Sequence, residues 1–286
     1  MTREPIRIFH LSDIHFGLED NRALDWAERE IANTSPDAVA ITGDLTMRAR
    51  HREFDAATRW ITALEAPVTV NIGNHDMPYF NLIERFVTPY KRFEGMQSLV
   101  EREIDLPGLA IVPLKTVRRW QPRLNWSKGW VTEAALKKCL AMLDALPDGV
   151  KALVAVHHPL REVGTEGTAL TFRGSKALEE LAKRNVLAVL SGHVHDAFDI
   201  AEPTRHGTVR MIGAGTLSQR TRSTPPSFNE LTWDGSELCV EVRNLEHVDT
   251  PDMMIDDVPP DAMPPRQAGE PVAPVRQVPR TDPPVH

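Results

Sequence analysis

Five times between residues 6 and 195, a short apolar run ends abruptly in a cluster of aspartate, asparagine or histidine. The clusters are Asp13-Ile14-His15, Gly43-Asp44, Gly73-Asn74-His75-Asp76, His157-His158-Pro159 and Gly192-His193-Val194-His195. The runs before them, residues 6–12, 38–42, 68–72, 151–156 and 186–191, read as strands. Helix-like amphipathic stretches lie among them, near residues 21–32, 50–64 and 175–184, so the pattern predicts a sheet flanked by helices. In open α/β sheets, functional residues gather in the loops beyond the carboxyl ends of the strands. Loops of this kind meeting at one edge would bring all these side chains together.

Asp, Asn and His form a mixed oxygen and nitrogen donor set, which suits Mn, Fe or Zn better than Ca or a thiolate zinc site. Asp13 and His15 flank a single residue, so on an extended strand end both can point the same way; His193 and His195 repeat that spacing. Asp44 stands alone after Gly43, where its carboxylate could bridge two metals. Taken singly, each cluster has a plain structural explanation. Gly-Asp is ordinarily a turn, and Asn74 or Asp76 could cap a helix. The joint occurrence at strand ends argues against that explanation for the set, while it stays open for His158, Asp76 and His10.

The order D-x-H, G-D, G-N-H-D, H, G-H-x-H resembles that of the calcineurin-like metallophosphoesterase superfamily, and every element is present over residues 13–195. Ser12 before Asp13, and the Gly-Trp-Val segment before Thr132, are most similar to the bacterial branch of class III cyclic-nucleotide phosphodiesterases and glycerophosphodiesterases. The resemblance implies an α/β, four-layer metallophosphoesterase sandwich, with two mixed β-sheets flanked by helices. It implies two divalent or trivalent metal ions (Mn, Fe or Zn). One would be held by Asp13, His15, Asp44 and His195, the other by Asp44, Asn74, His157 and His193. His75 would face the substrate as a catalytic group beside Asp44, with Asp76 orienting it or capping the next turn. The implied reaction is attack by a metal-bridging hydroxide on a phosphodiester of a small phosphorylated substrate, either a cyclic nucleotide or a glycerophosphodiester. A phosphomonoesterase or pyrophosphatase on the same core is the alternative. A non-catalytic scaffold would have lost ligands, and none is lost here.

Beyond the motifs, residues 76–106 read as less regular and helical, and residues 109–114 as a strand. Residues 132–146 read as a helix capped by Thr132, and the runs 208–212, 228–233 and 237–244 as antiparallel strands with a hairpin at Asp234-Gly235. The segment 213–216 is a GxG outside any nucleotide-fold context and reads as a close-packed turn. Arg118, Arg119, Arg123 and Lys128 surround Trp120, Asn125, Trp126 and Trp130. This is either a substrate-facing loop or a solvated one with tryptophans tucked against the core. Residues 161–173 are a second expected pocket wall, whereas Arg48, Arg50, His51 and Arg52 read as the solvated start of a helix.

A net charge of −7 speaks against a dedicated nucleic-acid binder, yet leaves an anionic substrate open because bound metals reverse the local sign. Cys139 and Cys239 form no disulfide framework. Neither a signal-peptide core nor a run of roughly 18 apolar residues is present, so a soluble cytoplasmic protein is expected. The domain is expected over residues 1–248, followed by a Pro-rich disordered tail over 249–286.

Overall fold

Strands that must be buried on both faces cannot form a single solvated sheet, and here two sheets cover one another. The computed structural model describes residues 4–78, 81–122 and 125–246; the expected tail lies outside the described residues. In chain order the elements are β1 (Ile6–Leu11), α1 (Asn21–Thr34), β2 (Ala38–Ile41), α2 (His51–Ala63), β3 (Val68–Val70), α3 (Leu82–Val87), α4 (Lys91–Val100) and β4 (Leu109–Pro113). They continue with α5 (Glu133–Asp144), β5 (Lys151–Ala155), α6 (Gly174–Leu181), β6 (Val186–Ser191), β7 (Phe198–Thr204), β8 (Gly207–Gly213), β9 (Ser227–Trp233) and β10 (Leu238–Asn244).

One sheet has the order β10-β9-β1-β2-β3, the other β4-β5-β6-β8-β7. Both are mixed: β1, β2 and β3 run parallel while β9 pairs antiparallel with β1, and β7 closes the second sheet antiparallel to β8. Between the sheets, Ile6, Ile8 and Ala40 of the first join Leu153, Leu190 and Ile212 of the second in one buried cluster. The opposite face of β1, through Phe9 and Leu11, packs on Phe54 and Ile61 of α2 and Phe93 of α4. Val154 and Val189 likewise face Leu136 of α5 and Leu178 of α6. Helices, sheet, sheet and helices therefore make four layers, as the resemblance implies.

Capping follows the sequence closely. Asp20 accepts from the backbone N–H of Arg22 at 2.9 Å to start α1, and Thr132 accepts from that of Ala135 at 3.1 Å to start α5. Two findings go beyond the sequence reading. β7 is an edge strand that alternates between half-buried and exposed and contains Pro203, so it carries little apolar signal. The β9–β10 hairpin returns to the first sheet instead of extending the second. Gly215 is close-packed as expected, since a Cβ there would lie 2.1 Å from Ser227 Oγ. No described helix is long and apolar enough to cross a membrane.

Candidate metal centre and active site

The loops leaving β1 and β2 are stitched together by their own backbones. Asp13 N–H donates to Gly43 O at 3.0 Å, His15 N–H to Asp44 O at 2.9 Å, and Phe16 N–H to Leu45 O at 2.7 Å. In the second sheet, Gly192 N–H donates to His157 O at 3.0 Å and joins the loops after β5 and β6. The backbone here is not extended. Asp13 (φ 54°), His15 (52°), Asp44 (51°), His193 (70°) and His195 (62°) all lie in the left-handed region. Such conformations cost non-glycine residues about 1–3 kcal/mol each and persist where surrounding structure enforces them, commonly at functional sites. The shared direction of Asp13 and His15, and of His193 and His195, comes from these alternating turns instead of from strand alternation.

The side chains converge. Asp13 Oδ1 lies 3.1 Å from His195 Nε2 and 3.6 Å from His15 Nε2, and its Oδ2 accepts from the His193 N–H at 2.7 Å. Asp44 Oδ1 accepts from the His75 N–H at 2.8 Å, while Oδ2 is 3.3 Å from His157 Nε2 and 3.9 Å from His15 Nε2. Asn74 Oδ1 lies 3.1 Å from His157 Nε2. Backbone carbonyls fix the imidazoles from behind: Thr42 O faces His157 Nδ1 at 2.8 Å, and Arg220 O faces His195 Nδ1 at 2.7 Å. A carbonyl can only accept, so the Nδ1 atoms carry the protons and the Nε2 lone pairs point inward, as metal-binding histidines require.

These donors fit a metal. Carboxylate, amide oxygen and imidazole Nε2 form the set that oxygen- and nitrogen-preferring transition metals take. Asp13 Oδ1 is fully buried and satisfied by no hydrogen bond among the described residues, so a charged acceptor is aimed at the centre without a donor. The groups Asp13–His15–His195 and Asp13–Asp44–His157 each place their ligand atoms within 4.8 Å of one another.

Electrostatics agree. Burial pushes His15 and His193 down to about 3, which keeps their lone pairs available near neutral pH. Burial also opposes charge on His157, but Asp44 and then Asp13 outweigh it and raise His157 to about 9. Asp44 is itself held well below the carboxylate range by His157 and His75, against its own burial. A metal would compete with the proton of this pair for the same lone pairs.

The residues whose role stayed open resolve as supports. His158 has both ring nitrogens engaged, Nδ1 with Thr116 Oγ1 at 2.9 Å and Nε2 with Ser127 O at 2.8 Å, so it has no lone pair to offer despite touching His157 and His193. His10 lies between Thr42 Oγ1 and Asn229 in the first sheet. Asp76 accepts from Thr46 N–H at 2.8 Å and Gly73 N–H at 2.9 Å, which ties the loops after β2 and β3 instead of orienting His75. Burial, then Asp44, pushes its carboxyl up to about 6. His75 is anchored separately, Nδ1 to Met47 O at 2.7 Å, with Nε2 lining the cleft.

The cleft over the centre encloses about 260 Å³ and also takes in Ser127, Lys128, Thr168, Arg220 and Arg222. From the tryptophan-rich loop, then, Ser127 and Lys128 reach it. Trp130 instead packs on Phe172 (4.1 Å between centroids) beneath the Arg118 guanidinium and is absent from the described cleft lining, and Arg123 lies outside the described residues. A larger cavity of about 820 Å³ adjoins through Lys128, with Arg161, Phe172 and Arg173 on its walls, where residues 161–173 were expected to matter. Arg50, His51 and Arg52 are absent from the described cleft lining. Arg220, which the motifs do not single out, sits with Nη1 3.2 Å from His75 Nε2 and 3.4 Å from His15 Nε2. It follows no apolar strand end, the signal that marked the others.

A buried cluster of donors able to hold metal lies where the parallel strands of two packed sheets end, and it is the candidate active site. The chain belongs to the calcineurin-like phosphoesterase family, whose sequence profile matches residues 6–197, and it is a phosphoesterase. It is 21% identical over 247 residues to a probable cyclic nucleotide phosphodiesterase of Ruthia magnifica subsp. Calyptogena magnifica, covering 82% of this chain and 94% of that relative. A second probable cyclic nucleotide phosphodiesterase, from Pseudoalteromonas sp., is 27% identical over 207 residues, covering 68% of this chain and 72% of the relative. Among solved structures, a dimetal phosphatase from Danio rerio superposes with a TM-score of 0.59 at 14% identity, covering 83% of this chain and 99% of that one. At that identity the likeness is one of fold.

Proposed function

We propose that the chain is a dinuclear metal-dependent hydrolase of phosphodiester bonds in a small-molecule substrate, a cyclic nucleotide or a glycerophosphodiester. The observation that carries this reading is the position of Asp44. One oxygen of its carboxylate stands 3.3 Å from His157 Nε2 and 3.9 Å from His15 Nε2, facing donors from both sheets at once. In this reading Asp13, His15, Asp44 and His195 hold one ion (Mn, Fe or Zn), and Asp44, Asn74, His157 and His193 hold the other. When bound, the two ions would supply Lewis acidity toward the phosphoryl oxygens and water of lowered pKa.

The chain's own groups do the rest. Asp44 keeps the two halves in register, with Oδ1 fixed by the His75 N–H. His75 is locked through Nδ1 to Met47 O, which leaves Nε2 toward the cleft, and in this reading it is the group that meets the leaving oxygen. A positioned acid of this kind typically contributes about 10²–10⁴-fold. The names of the two curated relatives favour a diester over a monoester. The test is turnover of bis(p-nitrophenyl) phosphate beside p-nitrophenyl phosphate with Mn²⁺, Fe²⁺ or Zn²⁺, using Asp44→Asn as control. Metal-restored diester turnover that is lost in the variant is the expected result. A preference for the monoester would replace diesterase with phosphatase, and inactivity with every metal would overturn the hydrolase reading.

A further inference from the structure

Arg220 is placed by the centre itself. Its carbonyl accepts from His195 Nδ1 at 2.7 Å, and its N–H donates to Ser218 Oγ at 3.3 Å. Ser218 Oγ lies 2.7 Å from Thr216 Oγ1, which donates to Asp13 O at 2.6 Å. The flanking Gln219 N–H donates to Leu18 O at 3.1 Å. The loop between β8 and β9 is thus pinned to the β1 loop through Thr216 and Gln219 and to the β6 loop through Arg220 O, with the Arg220 side chain lining the cleft. Sites held by such supporting bonds keep their groups within the tolerance that chemistry needs.

The surroundings of the guanidinium are unusual for an arginine. It is a permanent cation with donors only and no acceptor. Its side-chain neighbours are His15 Nε2, His75 Nε2 and the sulfur of Met47, and no carboxylate forms an ion pair with it among the described residues. Lys128 across the same cleft is different: its ammonium is already engaged by the Thr168 carbonyl at 2.9 Å and by the Thr168 hydroxyl. Arg222 lines the cleft but is exposed, whereas Arg220 is half-buried. Desolvating a cation beside two basic groups is unfavourable unless an anion completes the arrangement.

We propose that Arg220 is a substrate-binding catalytic residue whose guanidinium donates to a non-bridging oxygen of the phosphoryl group undergoing hydrolysis. Planar, charge-assisted donation of this kind matches phosphate oxygens. It would also place a positive charge where negative charge develops as the leaving oxygen departs beside His75. The assignment rests on the phosphoesterase reading, and it adds a residue outside the five motifs.

The experiment measures binding of inorganic phosphate to the metal-loaded full chain by calorimetry, for wild type, Arg220→Lys and Arg220→Ala. Bound metal per chain is determined on the same samples, and KM and kcat on bis(p-nitrophenyl) phosphate. Arg220→Ala is expected to keep the wild-type metal content and to weaken phosphate binding by about 10–100-fold, the scale of a lost charged hydrogen bond. It should also lower kcat by about 10²-fold or more, with Arg220→Lys intermediate in both. Unchanged phosphate affinity in Arg220→Ala would overturn the assignment. Loss of metal together with phosphate binding would do so as well, because the guanidinium would then act only by positioning His15, 3.4 Å away. If wild type binds phosphate but turns over no ester, the failure belongs to the hydrolase reading, and the binding comparison still decides the role of Arg220.

Discussion

The two sheets bring different chemistry to the centre. From the first come both carboxylates, Asp13 and Asp44, together with Asn74, His15 and His75; from the second come the imidazoles of His157, His193 and His195. Alone, the first half would be a pair of buried like charges, and the second would set the His157 and His193 rings edge to face, 5.2 Å apart. Each arrangement is unfavourable in isolation, because burial without an opposite charge or a hydrogen bond is costly. Placed face to face they neutralise one another: Asp13 takes the His193 N–H, and Asp44 meets His157. The site is therefore a property of the seam between the sheets. Packing of the apolar inter-sheet cluster sets its geometry.

The seam is narrow enough to exclude a methyl group. A Cβ on Gly192 would lie 1.7 Å from Ser12 Oγ and 2.4 Å from Asp13 Oδ2. Gly43, with φ of 100°, faces His157 Nδ1 in the same way, at 2.8 Å. These glycines are the places where one sheet's loop touches the other's.

The adjacent pair His157 and His158 separates a candidate metal ligand from a structural support. His157→Ala should lower metal content and reduce turnover by about 10²–10³-fold. His158→Ala should keep its metal and lose about 1–3 kcal/mol of stability, from the stranded Thr116 hydroxyl and Ser127 carbonyl. Metal analysis and denaturant titration of the two variants read this difference, and equal metal loss in both would refute it. Next in size is Gly192→Ala. Overpacking at the seam should cost about 1–3 kcal/mol, and by displacing Asp13 it should reduce turnover by about 10²-fold. Calorimetric melting and an activity assay follow it, and a variant with wild-type turnover would mean that the seam yields without disturbing the carboxylate.

The last is a pH slope from the first sheet. Burial lowers His10 from 6.5 to about 3, so the unfolded chain takes up a proton that the folded chain refuses between those values. Stability from this group is complete above pH 6.5 and is lost as pH falls toward 3. His10→Gln should flatten that limb by up to about 1.4 kcal/mol per pH unit. Urea titrations at a series of pH values measure it, and an unchanged slope would assign the acid sensitivity to other groups.

How much of this was legible follows from where the signals lie. Each motif cluster follows an apolar strand, so periodicity put Asp13, His15, Asp44, Asn74, His157, His193 and His195 at strand ends without coordinates; that these strands belong to two sheets and not to one edge was implied only by the resemblance. The left-handed backbone at Asp13, His15, Asp44, His193 and His195 was not legible, because only the mutual stitching of the loops enforces it. Strand β7 escaped because an edge strand with one solvated face and a proline has weak apolar alternation. The choice of His157 over His158 was carried by resemblance; the physical reason, a hydroxyl and a carbonyl occupying both His158 nitrogens, needs partners 42 and 31 residues away. Arg220 lies in a loop with no periodic signal, and its place depends on contacts 145 and 205 residues distant in sequence.

The most direct test of a centre shared across the seam is metal per chain by inductively coupled plasma mass spectrometry, for wild type and Asp44→Asn purified in parallel. A shared centre requires two tightly held transition-metal ions per wild-type chain and loss of at least one in the variant, with the fold retained by circular dichroism. Full metal content in Asp44→Asn, or a wild-type chain that retains none after metal loading, would contradict it.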